Sequence, residues 1–278
     1  MKHREKSGNV KIRMMIYIAL AAAYLLGILI WGTMMPEEAY AVDYSMKLTP
    51  PGGSHIFGTD FMGRDMLCRS VKGLSISMVI AALAAGISSV IALLAGVAAA
   101  VFGGKADSFV NWCVDLCMGI PHLILLILIS FMLGRGPEGV TAAVAFTHWP
   151  ELTRVVRAEV LQIRSSQYVK AAYKMGKSKI WVAWNHMIPH VLPVYLVGAV
   201  LLFPHAIMHE AAITFLGFGL PAEVPAIGVI LSESMQYIST GKWWLALFPG
   251  LLLLAAVMLF DGIGETLKRL LNPNSGNE

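Results

Sequence analysis

The sequence predicts an all-α protein built into a membrane, with about six transmembrane helices and one helix-bearing loop outside the bilayer. Hydrophobic residues make up 57% of the 278-residue chain and charged residues only 14%, unlike an ordinary soluble domain. Mean hydropathy is +0.68. Apolar runs of about 20 residues recur along the chain, the length at which a helix crosses a ~30 Å hydrocarbon core.

The first run, residues 12–35, follows a basic stretch and ends in MMPEEAY rather than in a small-residue cleavage pattern. It reads as a retained helix, not a cleaved signal. Residues 36–73 contain PEE and TPPGG and read as an extramembrane segment rich in turns. The core, 74–265, opens with spans at 74–102 and 109–133, separated by FGGK and followed by GRGPEG. The fourth span, 139–160, is the weakest, because His148, Trp149 and Pro150 interrupt it and Arg154 and Arg157 follow. A polar loop at 161–190 precedes the fifth span, 191–215. GLPAEVP lies before the sixth, 245–265, and residues 266–278 form a tail.

Counting Lys and Arg gives an orientation. With the N-terminus inside and six crossings, 15 of the 21 basic residues fall in inside segments and 6 in outside ones. Both termini and the 161–190 loop are therefore expected on the cytoplasmic side of the membrane. The net charge of +4 then reflects topology and contact with lipid rather than nucleic-acid binding. Cys68, Cys113 and Cys117 are too few and too dispersed for a disulfide framework. Cys113 and Cys117 lie one helical turn apart, and read as buried thiols rather than a soft-metal pair.

The polar loop carries four lysines within ten residues, Lys170, Lys174, Lys177 and Lys179. On a helix Lys170, Lys174 and Lys177 share one face and Ala171, Ala172 and Met175 the other; Gly176 punctuates the pattern and Pro189 closes the segment. Taken alone, this fits either a membrane-surface helix or a docking helix for a cytoplasmic partner.

Order and spacing then point to a family. Lys170-Ala171-Ala172, Gly176 and the following Ile188-Pro189 resemble the EAA loop of ABC-importer membrane subunits. In that family the loop is a coupling helix seated in a groove of the ATPase subunit. Lys170 stands where the family usually has Glu. HIFGTDFMGRDMLCR, residues 55–69, is similar to the GTD-x-x-GRD-x-x-x-R signature of dipeptide, oligopeptide and nickel permeases. EAAITFLGFGL, residues 210–220, resembles a second motif of the same group, with Thr214 in place of Ser. Trp243-Trp244, Pro249-Gly250 and FDGIGETLKRLLNP resemble its last helix and tail.

The resemblance implies a type I ABC importer transmembrane domain with no ATPase site of its own. No G-x-x-x-x-G-K-[ST] occurs in the chain, so this subunit is expected to bind no cofactor, with ATP and Mg held by two cytoplasmic partner ATPases. A second, related permease chain and an extracytoplasmic substrate-binding protein are the other expected partners. ATP binding would draw the coupling helices together and switch the pathway between its inward-facing and outward-facing forms.

Substrate has to be read from polar groups inside the membrane, where ionisable residues are costly and functional by default. His205, Met208 and His209 share a helical face, with Glu210 at its margin. Imidazole suits divalent nickel or zinc, and thioether or carboxylate adds weaker donors. His122 and His148 could face the same pathway. Each has a structural alternative: interhelical hydrogen bonds for the i, i+4 pair, and satisfaction of freed carbonyls for His122 beside Pro121. THWPELTRVVR, residues 147–157, with PHAIMHEAAITFLGFG, residues 204–219, looks closer to nickel permeases than to peptide permeases. Nickel or a nickel chelate is therefore the favoured cargo, with dipeptides or oligopeptides as the alternative. Coordination by His205 and His209 is expected to be transient, since a conducting site must release its ion.

An intramembrane enzyme fits poorly. The chain has no H-E-x-x-H and no G-x-S-x-G, and Asp115 and Asp261 lack the usual neighbours of an aspartate pair. A stand-alone channel would not need residues 170–189.

Overall fold

The computed structural model describes the backbone of residues 2–271 and the side chains from Ile12 onward. The described residues form ten α-helices: α1 Lys2–Met34, α2 Met66–Phe102, α3 Gly104–Gly119, α4 His122–Met132, α5 Pro137–Arg164, α6 Gln167–Lys174, α7 Lys179–Val182, α8 Ile188–Phe215, α9 Ile227–Ile238 and α10 Trp244–Leu271. No named strand is present among the described residues. Four helical stretches are long and apolar enough to cross a membrane, and α3 with α4 makes a fifth if that bent pair counts as one span. The 28-residue α5, expected from the sequence as the weakest span, is not among them, so the described residues hold four or five apolar spans rather than six.

Several boundaries differ from the sequence reading, each for a local reason. α2 begins at Met66 rather than at 74, because the Asp65 carboxylate accepts a hydrogen bond from Cys68 N at 2.9 Å and caps the helix there. The expected straight third span is broken, its two helices meeting at 99°. Pro121 has no N–H to offer, and the residue before it, Ile120, adopts an extended conformation with ψ 135°. α8 starts at Ile188 with Pro189 in its first turn, so this dipeptide opens the span rather than closing the loop before it.

The bundle is organised around α2, which packs against α1, α5, α8, α9 and α10. Small residues set the closest approaches, as expected where lipid supplies no hydrophobic drive between helices. A Cβ on Gly96 would lie 2.8 Å from Val156 Cγ1 and 2.9 Å from the Thr153 carbonyl oxygen of α5, whereas one on Gly86 of the same helix meets nothing within 4 Å. Gly96→Leu is therefore expected to cost about 1–3 kcal/mol through overpacking. Thermal melting in detergent checks this, with Gly86→Leu expected to melt close to the wild type.

The polar residues that weaken α5 as an apolar span are tied to its neighbours. Arg157 donates from Nε and Nη2 to the two Asp107 oxygens of α3 at 2.6 and 2.7 Å. Arg154 reaches Asp115 at 2.7 Å, and Arg164 donates to the Ala100 carbonyl of α2 at 2.8 Å. A bidentate Arg–carboxylate pair fixes orientation as well as distance, so these contacts set how the α3 arm lies against α5.

Candidate functional site

Three regions carry the polar chemistry, and each is built by local sequence. At the end of the bundle where α1 finishes and α2 begins, the GTD/GRD stretch folds into a compact plug. Gly58 and Gly63 have φ of +73° and +78°, and a Cβ on Gly63 would fall 1.7 Å from the Asp43 carbonyl oxygen. Thr59 Oγ1 accepts from Thr49 N at 2.9 Å and donates to the Met46 carbonyl. Asp60 Oδ1 accepts from the backbone N–H groups of Met62 and Arg64 at 2.8 and 3.0 Å. Its other oxygen meets Arg64 Nε at 2.6 Å and Arg69 Nη1 at 3.0 Å.

Arg69 and Asp60 are each only 2% exposed, and Arg69 Nη2 also pairs with Glu233 of α9 at 2.6 Å. The signature is thus a buried charge cluster that pins the plug to the head of α2 and to α9. Phe57 stacks on Phe248 with centroids 4.3 Å apart, and Trp244 Nε1 donates to the Thr59 carbonyl at 3.4 Å, which adds α10 to the clamp. The sequence marked residues 36–73 as rich in turns, but Glu233 lies in no motif and was not singled out.

At the opposite end, α6, α7 and a π-helical turn at Ala183–Met187 lie between α5 and α8. α6 ends in a Schellman motif: Lys177 N donates to Ala172 O at 3.2 Å and Gly176 N to Tyr173 O at 3.0 Å, with Gly176 at φ +79°. The spacing of Ala172 and Gly176 is therefore the spacing of a capped helix end. Ala172 is buried whereas Ala171, Met175 and Lys170 are exposed, so the two alanines do not share a face as the sequence reading had them. Met175, Ile180 and Trp184 are each about 70% exposed among the lysines. Ile188 and Pro189 follow as the first turn of α8.

The third region lies within the bundle, where three imidazoles from three helices converge. His122 is the first residue of α4 just past the bend, His148 sits in α5 two residues before Pro150, and His209 belongs to α8. Their ring centroids are 4.7 Å (His122–His148), 4.5 Å (His122–His209) and 5.0 Å (His148–His209) apart. His148 Nδ1 is 2.9 Å from the Val144 carbonyl, and His209 Nδ1 is 2.8 Å from the His205 carbonyl. His148 Nε2 and His209 Nδ1 are 3.2 Å apart. His148 is buried and the other two are half-buried.

The remaining residues of the α8 face go elsewhere. The His205 side chain is exposed and lines a groove of about 700 Å³ with Glu151, Pro193, Leu201 and Lys268. Met208 is likewise exposed. Glu210 is fully buried, accepting from Thr214 Oγ1 at 3.1 Å, with the Ser77 hydroxyl also beside it. Thr214 Oγ1 in turn accepts from Leu220 N at 3.2 Å, and Gly217 at φ +82° ends α8 in a second Schellman motif. Glu210 and Thr214 thus organise the end of α8 against α2. The helical arithmetic paired His205 with His209, while the structure gathers His209 with His122 and His148. The three cysteines are free and half-buried.

Comparison with known proteins gives this architecture a context. Residues 92–273 match the family described as binding-protein-dependent transport system inner membrane component. A protein of Brucella suis biovar 1 named as a peptide transport system permease is 32% identical, covering 97% of this chain and 88% of that one. The dipeptide transport system permease protein of Bacillus subtilis (strain 168) is 30% identical over 86% of this chain and 75% of its own length. Among solved structures, the inward-facing MetNI methionine ABC transporter superposes with a TM-score of 0.60 at 22% identity, over 74% of this chain and 98% of that one. An amino acid ABC transporter superposes at 0.54 with 15% identity, over 73% and 94%.

Proposed function

Because this chain belongs to the family of binding-protein-dependent transport system inner membrane components, the membrane-spanning permease subunits of ABC importers, we propose that its cargo is a short peptide. A permease of this family works with ATPase partners and a substrate-binding protein, and does not itself hydrolyse ATP. The observation that carries the cargo reading is the similarity, over nearly the whole chain, to proteins named for peptide transport. The sequence reading favoured nickel, and these relatives weigh toward its peptide alternative.

In the proposed arrangement the plug with Asp60, Arg69 and Glu233 faces outward toward the binding protein. The segment with Lys170, Ala171, Ala172 and Gly176 faces the cytoplasm and seats on an ATPase. Exposed Met175, Ile180 and Trp184 supply an apolar anchor and the lysines a charged surround, the composition of a docking surface rather than of a solvated helix. A second permease subunit closes the pathway.

Nickel, free or chelated, is retained as a second reading because three histidines meet at the α4–α5–α8 junction. One experiment separates the two. Cells with and without this gene are assayed for uptake of a radiolabelled dipeptide and of radioactive nickel, each in competition with the other. Loss of dipeptide uptake on deletion with nickel uptake unchanged is expected. Loss of nickel uptake that ignores excess dipeptide would replace the peptide cargo with nickel and leave the permease assignment standing.

A further inference from the structure

We propose that His122, His148 and His209 form a three-imidazole site for one divalent late first-row transition-metal ion, bridging α4, α5 and α8. The site goes beyond the peptide cargo and does not rest on it. One candidate ligand nitrogen from each ring lies within 4.8 Å of the other two. Three nitrogens each about 2.1 Å from one ion lie roughly 3.0–3.4 Å from one another, so small ring rotations close the remaining gap.

The rings are already held as ligands are held. A carbonyl only accepts hydrogen bonds, so the 2.9 Å contact from His148 Nδ1 to Val144 O places the hydrogen on Nδ1 and the lone pair on Nε2. The same reasoning at His209, whose Nδ1 lies 2.8 Å from His205 O and 3.2 Å from His148 Nε2, leaves its Nε2 as the ligand atom, so metal binding requires the His209 ring to turn and release its contact with His148. Metal-binding imidazoles commonly show this pattern, with the second nitrogen tied to a carbonyl that fixes tautomer and ring orientation. The third member gives an independent indication. His122 Nε2 is buried and has no hydrogen-bond partner among the described residues. Mutual hydrogen bonding among histidines therefore explains two of the rings and not the third, and an orphaned buried nitrogen calls for an account of its own.

Imidazole nitrogens with no thiolate or carboxylate among them suit nickel, copper, zinc and cobalt rather than magnesium or calcium. Three neutral ligands leave at least one coordination position open, where water or the amine and carboxylate donors of a peptide complete the shell. The site joins α4, beyond the 99° bend, to α5 and α8, so a bound ion would fix the bent arm against the core. His205, although one turn from His209, takes no part.

The test uses the full-length chain in lipid nanodiscs, purified through a tag without histidine and titrated with Co²⁺. A ligand-field absorption band saturating at one equivalent is expected, without the thiolate charge-transfer band that Cys113 or Cys117 would produce. His122→Gln, His148→Gln and His209→Gln are each expected to weaken binding at least about tenfold, while His205→Gln leaves it in place. Ni²⁺ is expected to raise the melting temperature of the wild type and not that of His122→Gln. That variant is the decisive one, because its half-buried ring at the first position of α4 can change without opening the core. Its metal-free melting temperature checks this. Unchanged cobalt affinity in His122→Gln, or an equal loss in His205→Gln and His209→Gln, would overturn the site. So would the absence of a band in the wild type. None of these outcomes bears on whether dipeptide uptake depends on the gene.

Discussion

Asp60→Ala is expected to strip the membrane of most of its folded protein. The substitution removes the carboxylate that faces both Arg64 and Arg69, leaving two guanidinium groups against each other in a site where Arg69 is 2% exposed. Breaking a buried pair by deleting one partner costs about 3–5 kcal/mol, a large share of the roughly 5–15 kcal/mol that holds a typical domain together. The backbone donors of Met62 and Arg64 lose their acceptor at the same time. Protein abundance and monodispersity after mild heating in detergent are the readouts. Arg69→Met alone is expected to be similarly harmful. The pair Asp60→Asn with Arg69→Met should recover much of the loss, because Arg64 and Glu233, 3.6 Å apart, can then compensate each other. Equal loss in the double variant would show that the cluster contributes through shape and hydrogen bonds rather than through charge balance.

The second expected result concerns Gly176. At φ +79° it sits where only glycine, and to a lesser degree asparagine, is at ease, and it completes the cap on α6. A Cβ there would meet nothing within 4 Å, so a larger residue strains the backbone but clashes with no neighbour, and Gly176→Ala, which carries the same strain without the bulk, separates that strain from a steric effect on a partner. Gly176→Trp is therefore expected to leave the protein in the membrane at normal levels. Uptake should fall at least tenfold, while the ATPase partners continue to hydrolyse ATP without substrate control. Gly176→Asn should keep most of the activity, because it can adopt the same backbone. Normal uptake with normal ATPase stimulation in Gly176→Trp would refute coupling through this segment.

Much of the bundle was legible because it depends on features that sequence displays directly. Apolar runs of membrane length became α1, α2, α8 and α10, and the polar interruptions at His148–Pro150 marked the helix that falls short of a span, α5. Capping was less visible. Asp65 extended α2 past the apolar run, since a helix start is set by a side-chain acceptor and not by hydropathy. Pro121 was plain in the sequence, yet the size of the bend depends on where α4 finds its packing partners on α5 and α8. Residues 36–73 could be read as rich in turns, but their buried cluster is closed by Glu233, brought from far along the chain by α9. At the histidines, helical spacing placed His205 and His209 on one stripe. It could not show that the His209 ring, anchored through Nδ1 to the His205 carbonyl, turns toward His148 and His122. The same limit applies to Ala171 and Ala172, because which face of a short helix is inner depends on how α6 is hung between α5 and α7.

What most directly tests an ATP-driven permease is accumulation of its cargo in proteoliposomes that contain this chain with its partner subunits. The cargo is the labelled solute whose uptake cells lose when the gene is deleted, supplied outside with its binding protein, and ATP is trapped inside. The vesicles are expected to concentrate the solute above its outside level with ATP and to take up almost none without it. Equilibration at the same rate in the presence and absence of ATP would mean that the chain conducts passively, and would contradict both the coupling role of residues 170–189 and the importer mechanism built on it.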